Sequence, residues 1–300
     1  MLTASQIEFY HEKGYVVVPD VIPQPWLAKA RDTLADLIER SRDVSASNSV
    51  YDLEDAHSQS NPRVRRIKDP HINGAIYGEM LTSARIMDLV VQLIGPNLRM
   101  DHSKLNIKPA RGGEPVEWHQ DWAFYPHTND DLAAVGIMMD DMELANGPLM
   151  IIPGSHKGPI FDHHTDGRFC GAMDPATKEL DYAKAIPLTG AAGSITVHHV
   201  RAVHGSAPNT SNKERRLLLL QYRAADAWPL LGLPAGMEAY DKLMVAGAPT
   251  NQPRLAPVPV RLPLPPADLQ GSIYENQKGL KRRFFDAPEG ARQPELQPAK

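Results

Sequence analysis

The feature that most constrains the fold is a succession of short β-rich segments in the middle of the chain. They lie at residues 103–108, 116–119, 132–139, 149–152, 195–199 and 216–222. Most of them are bounded by Gly, Pro, Asn or Asp, the residues that favour turns. A chain with many short strands separated by such turns folds as a β-sandwich or a β-barrel. We therefore expect a mainly β core.

The residues before this region show helical patterns instead. Thr3 and Gln6 fit a capping box at the start of the first pattern, and apolar residues recur at helical spacing in the others. These patterns predict helices at 4–13, 27–42 and 86–94. Residues 43–75 are polar and irregular. We expect a helical N-terminal part over residues 1–98 and a β core over about 99–232.

The C-terminal stretch differs from the rest in composition. Residues 249–300 hold ten of the 27 prolines, and proline disfavours helices and central strands alike. We interpret this stretch as an extended arm outside a domain of residues 1–248. The arm would wrap around its own domain, reach a partner subunit in a homodimer, or stay partly disordered.

Charge and cysteine content exclude several classes of protein. The net charge of -4 provides no basic surface for phosphodiester backbones, so nucleic acid is not an expected partner. The single cysteine, Cys170, excludes an internal disulfide and is typical of a reducing compartment. No stretch approaches the roughly 20 apolar residues of a membrane span, and the N-terminus is charged where a signal peptide is apolar. We expect a cytoplasmic protein without a membrane partner.

A histidine and an aspartate two residues apart form the first candidate site. His119 and Asp121 follow a β-rich segment, and this spacing places both side chains on one face of a strand end. With one distant histidine they would form the facial triad of non-haem Fe(II) oxygenases, which leaves positions open for co-substrate and oxygen. His164 and Asp166 have the same spacing but lie in a polar loop. The first pair is therefore the predicted ligand pair.

The third ligand is predicted at His204, which follows another β-rich segment. Arg215 begins the next strand eleven residues later, and its guanidinium suits the distal carboxylate of 2-oxoglutarate. Arg215 and Arg216 point to opposite faces of a strand, so at most one of them faces a cavity. His198 and His199 are rival ligands within a strand, where histidines are more often hydrogen-bonded packing residues.

Several motifs occur together in a fixed order. They are Trp118-His119-Gln120-Asp121, Asn146-Gly147-Pro148-Leu149, Pro153-Gly154-Ser155-His156-Lys157-Gly158, and His204-Gly205-Ser206 through Arg215. On these motifs the chain resembles the phytanoyl-CoA dioxygenase family from about Leu2 to Gly232. The resemblance implies a double-stranded β-helix, or cupin-like jelly roll, with flanking helices. It also implies Fe(II) bound by His119, Asp121 and His204, with 2-oxoglutarate and O2 as co-substrates.

The resemblance further implies which residues contact 2-oxoglutarate. It makes Arg215, rather than Arg216, the anchor of the distal carboxylate. Ser206 matches the family's serine two residues after the distal histidine. Asn106 and Lys68 align with further co-substrate contacts upstream.

The implied reaction is hydroxylation of an unactivated C–H bond of a small organic metabolite, with release of succinate and CO2. Relatives that halogenate have a small residue in place of the aspartate, so an intact Asp121 favours hydroxylation. Desaturation and ring closure are alternatives to hydroxylation, since they would use the same reactive intermediate. A zinc-dependent hydrolase is an alternative, as is a non-catalytic jelly roll that binds a metal. The hydrolase leaves Arg215 unexplained, and the intact triad counts against the binding module.

Aromatic and polar residues next to the predicted ligands are candidates for substrate contact. They are Trp122, Phe124, Tyr125 and His127, with Trp228 as part of a lid after the last core strand. Such side chains also pack in cores, so aromatic packing at the barrel rim is the alternative. The sequence does not identify the substrate.

Overall fold

Two antiparallel sheets pack against each other, and helices cover the outer face of the larger sheet. This architecture is seen in a computed structural model that describes residues 1–233, 235–268 and 271–286. The helices are α1 (Ala4–Lys13), α2 (Gln24–Arg40), α3 (Pro70–Asn73), α4 (Ala75–Leu81), α5 (Ala84–Ile94), α6 (Gly236–Asp241) and α7 (Ile273–Gln277). The predicted helices at 4–13, 27–42 and 86–94 correspond to α1, α2 and α5.

The strands occur throughout the chain, with most of them after residue 98. They are β1 (Tyr15–Val18), β2 (Tyr51–Leu53), β3 (Val64–Lys68), β4 (Leu98–Lys108), β5 (Val116–His119), β6 (Leu132–Met138), β7 (Leu149–Ile151), β8 (His164–Thr165), β9 (Arg168–Phe169), β10 (Ile186–Pro187), β11 (Ile195–His199), β12 (His204–Ser206), β13 (Arg215–Ala224) and β14 (Met244–Ala246). The larger sheet has the order β1-β11-β6-β13-β4-β3-β2, with β14 paired to β4. The smaller sheet has the order β10-β7-β12-β5, and β8 pairs with β9. This is the double-stranded β-helix that the motifs imply.

Strand β13 shows how one strand serves two cores. Leu218 and Leu220 belong to the core between the larger sheet and the helices. Leu217 and Leu219 pack instead in the core between the two sheets, together with residues of β7. Because side chains alternate along a strand, Arg215 shares the face of Leu217 and points between the sheets. The same alternation directs the cationic side chains of β4 into the space between the two sheets.

The prediction that residues 43–75 are irregular was wrong in part. This interval contains β2, β3 and α3, and β3 pairs with the central strand β4. The strand pattern is hidden because two of its buried positions are arginines. Arg65 is compensated by the fully buried Asp52, whose carboxylate accepts a hydrogen bond at 2.8 Å. Arg66 points towards the space between the sheets.

The N-terminal helix begins and ends as the sequence predicts. Thr3 accepts a hydrogen bond from the backbone of Gln6 and the side chain of Gln6 accepts one from Thr3, which completes the capping box. Gly14 ends the helix with φ of 80°, a left-handed conformation that glycine adopts at little cost. A side chain there would also collide with the ring of His156.

The described part of the C-terminal arm packs on its own domain. The Trp122 indole donates a hydrogen bond to the Pro259 carbonyl at 2.9 Å, and the Phe169 amide donates one to Pro265 at 2.9 Å. Helix α7 lies further along and contacts β5. Of the three arrangements expected for the arm, the described residues therefore show wrapping around the domain. Among these residues, no helix has the length and apolar character needed to cross a bilayer.

Replacing Leu34 by alanine should lower the free energy of unfolding by about 2–5 kcal/mol, because a cavity forms in a tightly packed core. Leu34 is fully buried on α2 and belongs to the core beneath the larger sheet. Leu255 is 79% exposed, so Leu255→Ala serves as the control and should change stability by less than about 0.5 kcal/mol. Urea denaturation of both variants measures the difference. Equal losses would contradict this assignment of the core.

Candidate active site

Three side chains that can bind a metal meet between the two sheets. His119 ends β5 and is the register partner of His204 on β12, while Asp121 begins the single 3-10 turn that follows β5. One ligand atom from each residue lies within 4.8 Å of the other two, and all three residues are buried. The predicted triad is therefore assembled by strand pairing between segments that are far apart in the sequence.

Hydrogen bonds orient both imidazoles for metal binding. The Nδ1–H of His119 donates to the Glu117 carbonyl at 2.8 Å, and that of His204 donates to the Ala202 carbonyl at 2.9 Å. In each ring the Nε2 lone pair faces Asp121. The distance from Nε2 to the nearer carboxylate oxygen is 3.8 Å for His119 and 4.0 Å for His204. Such backbone bonds fix the tautomer of metal-binding histidines.

The charge states of the triad also suit a cation. Burial lowers the pKa of His119 well below its usual value and that of His204 to about 4, so both rings stay neutral. Burial alone would raise the pKa of Asp121, but the nearby Lys104 and then His198 lower it well below its ordinary value. Two neutral imidazoles and a carboxylate form the ligand set of non-haem Fe(II) oxygenases. The residues present therefore fit iron.

A small network holds the carboxylate of Asp121 in place. The Gln221 amide donates a hydrogen bond to Oδ2 at 3.2 Å, and His198 Nε2 lies 3.7 Å from the same oxygen. Lys104 Nζ lies 3.8 Å from the other oxygen. Sequence reasoning treated His198 as a rival ligand or a packing residue. Its ring lies behind Asp121 and contacts His204, with ring centroids 4.6 Å apart.

The other histidines that the motifs singled out have partners elsewhere. His164 Nδ1 lies 2.8 Å from Asp162, and Asp166 pairs with Lys281, so the second His-x-Asp copy forms no ligand pair. His199 faces Asp130 at 3.8 Å. His156 packs under Gly14. Within the described residues, the grouping at His119 is the one with metal-binding geometry.

Replacing Gln221 by leucine is expected to weaken Fe(II) binding by about tenfold to 100-fold, because residues that orient a ligand carboxylate affect affinity at this scale. The reason is the loss of its hydrogen bond to Asp121 in a buried environment. The exposed Gln59 supplies the control variant Gln59→Leu. Anaerobic metal titration measures both affinities. Unchanged affinity in Gln221→Leu would show that Asp121 does not depend on this bond.

A narrow pocket leads from the two histidines to Arg215. Its lining includes Arg66, Asn106, Ser206 and Tyr274. Beside it, Lys108 is fully buried and donates a hydrogen bond to the Ser206 hydroxyl at 2.8 Å. Burial lowers the pKa of Lys108 well below its usual value, so a nearby anion would stabilise its charged form. Together with Arg66 and Arg215 in the lining, this favours an anionic ligand. A dicarboxylate that binds the metal at one end fits such a pocket.

The two neighbouring arginines of β13 occupy different environments. Arg215 is 2% exposed and donates two hydrogen bonds to the Gly147 carbonyl, at 3.1 Å and 2.6 Å. Burial lowers its pKa to about 10, and it stays charged. Arg216 instead forms an ion pair with Asp140 on the opposite face. The structure thus places Arg215, and not Arg216, at the end of the pocket.

The other predicted co-substrate residues divide between two places. Asn106 and Ser206 line the narrow pocket, and Asn106 accepts a hydrogen bond from Arg66 at 2.8 Å. Lys68 lies outside that pocket, on the wall of a wider cavity, where its amine donates to the Asn48 carbonyl at 2.8 Å.

This wider cavity opens to solvent next to Asp121 and has a volume of about 380 Å³. Phe124, Tyr125 and Ile273 give it an apolar and aromatic side. Arg66, Lys68, Asp69, His102, Ser103, Lys104 and Ser272 give it a polar side. Phe124 and Tyr125 thus line a cavity next to the metal site, and their contact with substrate stays a prediction.

Three further aromatic or histidine candidates lie away from the cavity. The Trp122 side chain is fully buried among apolar residues, and its indole bonds to the C-terminal arm. His127 donates to the Tyr125 carbonyl at 2.7 Å and accepts from Arg223, so it supports the cavity wall from behind. Trp228 packs on Tyr240 with ring centroids 5.3 Å apart. None of the three lines the cavity among the described residues.

Sequence reasoning missed several residues of the site. They are Arg66, Lys104, Lys108, Gln221 and Tyr274. One available signal was the spacing of Lys104 and Lys108 around Asn106, because alternate residues of a strand share a face. Arg66 was hidden in a segment that did not look like a strand.

Comparison with known proteins places the chain among oxygenases. A family model described as phytanoyl-CoA dioxygenase matches residues 10–217. The chain is 38% identical over 286 residues to a probable alpha-ketoglutarate-dependent hypophosphite dioxygenase of Stutzerimonas stutzeri, covering 94% of this chain and 99% of that one. It is 25% identical over 242 residues to an ectoine dioxygenase of Bordetella parapertussis, covering 75% of this chain and 76% of that one.

Solved structures agree with the fold. The crystal structure of EctD from S. alaskensis with 2-oxoglutarate and 5-hydroxyectoine superposes with a TM-score of 0.65 at 22% identity. The match covers 88% of this chain and 89% of that one. At this identity the likeness supports the jelly-roll architecture and no more.

Proposed function

The chain belongs to the phytanoyl-CoA dioxygenase family of Fe(II)- and 2-oxoglutarate-dependent oxygenases, and we propose that it hydroxylates a C–H bond of a small organic molecule that carries a phosphorus oxyanion. The dioxygenase relatives leave no support for the zinc hydrolase or the non-catalytic module. What the proposal adds is the class of substrate.

The triad and the narrow pocket account for the common part of the reaction. His119, Asp121 and His204 would hold Fe(II) on one face, and Arg215 would anchor the distal carboxylate of 2-oxoglutarate. Bound iron supplies the activation of O2. One oxygen atom enters succinate as CO2 leaves 2-oxoglutarate, and the other converts C–H into C–OH. The protein orients the reacting groups and limits the access of water.

The observation that carries the proposal is the charge of the wider cavity. Arg66, Lys68 and Lys104 line it, and the carboxylates on its wall are those of Asp69 and Asp121. Once Asp121 neutralises part of the metal charge, the ammonium of Lys104 has no other ion-pair partner among the described residues. A substrate anion next to Lys104 would restore the balance.

The size of the cavity supports an organic part in the substrate. The relative from Stutzerimonas stutzeri is named for hypophosphite, an ion of only three heavy atoms. Water occupies about 30 Å³ in the liquid, whereas the cavity here measures about 380 Å³. Phe124, Tyr125 and Ile273 offer apolar contacts that a bare oxyanion does not use. Hypophosphite itself is the second candidate, favoured by the 38% identity to that relative.

A substrate panel distinguishes the candidates. Protein with Fe(II) and 2-oxoglutarate is offered short alkylphosphonates, hypophosphite, and carboxylates of matched chain length. Succinate release and phosphorus NMR are followed together. The proposal expects a hydroxylated phosphonate in step with succinate, whereas the second candidate expects phosphite from hypophosphite. Turnover of carboxylates alone would contradict both.

Two earlier expectations stay predictions. The first is a homodimer formed through residues 249–300, because the contacts described for the arm are with its own domain. A cytoplasmic location is the other. Size-exclusion chromatography with light scattering would test the first.

A further inference from the structure

The C-terminal segment 272–277 lies against the active site. The family model ends at residue 217 and so assigns no role to this segment. It contains Ser272 and helix α7, whose first two residues are Ile273 and Tyr274. Ile273 lines both the narrow pocket and the wider cavity, Tyr274 lines the pocket, and Ser272 lines the cavity. The chain therefore returns to the metal site after the jelly roll is complete.

Specific hydrogen bonds attach this segment to the strand that carries His119. Strand β5 is at the edge of the smaller sheet, where backbone groups lack a strand partner. The Glu117 amide donates to the side-chain oxygen of Gln277 at 3.2 Å, and the Gln277 amide donates to the Gly171 carbonyl at 3.1 Å. Gln277 thus replaces part of the missing strand neighbour.

The residues after α7 strengthen this attachment. The Phe284 amide donates to the Glu117 carboxylate at 2.8 Å. The Phe285 ring stacks on Trp118, with centroids 6.1 Å apart and planes 22° apart. Because Trp118 directly precedes His119, the end of the described chain is fixed to the metal-binding strand.

Tyr274 lies against a cationic residue of the co-substrate pocket. It is 5% exposed, and the Arg66 guanidinium lies 5.1 Å from its ring centroid. Glu275, the next residue, forms an ion pair with Arg65. Burial raises the pKa of Tyr274, while the charges of Arg66 and Arg215 act in the opposite direction. The hydroxyl therefore keeps its proton and is a hydrogen-bond donor next to Arg215.

We propose that the C-terminal segment completes the active site, and that the Tyr274 hydroxyl donates a hydrogen bond to the distal carboxylate of 2-oxoglutarate. Arg215 would bind this carboxylate from β13, and Tyr274 would bind it from α7. Tyr274 is then a co-substrate residue contributed by the proline-rich arm. The proposal rests on 2-oxoglutarate as the co-substrate and is independent of the phosphorus oxyanion.

Tyr274→Phe tests the hydroxyl while keeping the ring. Its affinity for 2-oxoglutarate, measured by anaerobic titration of the Fe(II) protein, should fall by about tenfold, the effect of losing a hydrogen bond to a charged group. Tyr182→Phe is the matched control. Tyr182 also has a buried hydroxyl near the arm, but it packs behind Trp118 outside the pocket. The affinity of Tyr182→Phe for 2-oxoglutarate should stay within about twofold of that of the unmodified protein.

A second ligand separates this role from a purely structural one. Oxalate chelates iron through the same kind of groups as 2-oxoglutarate but has no distal carboxylate. Tyr274→Phe should bind oxalate as the unmodified protein does. Equal losses for both ligands, or no loss for 2-oxoglutarate, would overturn the proposal.

Hydrogen exchange on the unmodified protein supplies a test that needs no variant. With Mn(II) in place of Fe(II), addition of 2-oxoglutarate should slow amide exchange across residues 272–277, and oxalate should slow it less. Exchange in this segment that does not respond to 2-oxoglutarate would also overturn the proposal.

Discussion

His119→Ala is expected to abolish turnover and to weaken Fe(II) binding by at least about 100-fold, since loss of a ligand exceeds the effect of disturbing its supports. His119 contributes one of three buried ligands, and its Nε2 is directed at the metal position by the bond to the Glu117 carbonyl. The two remaining groups cannot define one face of an octahedral ion. Anaerobic Fe(II) titration and succinate release measure the two effects.

The second His-x-Asp copy provides the control. His164→Ala removes a histidine with the same sequence spacing, but one that faces Asp162 and the C-terminal arm. Iron affinity should be unchanged in this variant. Loss of iron in His164→Ala, with retention in His119→Ala, would reverse the assignment of the ligands.

Arg215→Ala is expected to raise the 2-oxoglutarate concentration needed for half-maximal turnover by about 100-fold, because truncating one partner of a buried charge pair costs several kcal/mol. Two of its nitrogens already bond to the Gly147 carbonyl, and among the described residues none accepts a hydrogen bond from Nη1. Because Arg215 lines the pocket, we expect this nitrogen to bind the co-substrate.

Arg216→Ala is the neighbouring control for this prediction. Arg216 is bonded to Asp140, and its side chain is 22% exposed on the face away from the pocket. Its removal should alter stability slightly and leave the 2-oxoglutarate requirement near that of the unmodified protein. A larger rise in Arg216→Ala than in Arg215→Ala would mean that the strand faces were assigned incorrectly.

Much of the fold was predictable because local signals agree with the final structure. The capping box at Thr3 and the turn residues that end the β-rich segments mark element boundaries directly. The choice of Arg215 over Arg216 came from family resemblance, and strand alternation explains it. His119 and His204 could be proposed as ligands from their local context, and the resemblance strengthened this proposal, because their pairing across two strands is not encoded in any local pattern.

The residues that were missed depend on contacts between distant segments. Lys108 matters because β13 pairs with β4 in the register that places Arg215 opposite Lys108. Arg66 matters because β3 pairs with β4 and places Arg66 opposite Asn106. Nothing near Arg66 in the sequence indicates a buried position. Charged residues in a strand look like a solvated loop until their partners are known.

Of the predicted aromatic wall, Phe124 and Tyr125 line the cavity, whereas Trp122 and His127 do not. After Asp121 the chain enters a 3-10 turn, which directs Trp122 into the core and Phe124 to the cavity. Trp122 then bonds to Pro259, a residue whose position no local signal predicts. The C-terminal arm was the least predictable element, since proline excludes regular structure without indicating where the chain lies.

The most direct test of the account is anaerobic addition of 2-oxoglutarate to the Fe(II) protein, with observation of the weak visible charge-transfer band of the chelate. We predict a band that saturates with 2-oxoglutarate, is absent from His119→Ala, and requires much more co-substrate in Arg215→Ala. Absence of the band in the unmodified protein, with zinc retained at the site instead, would contradict it.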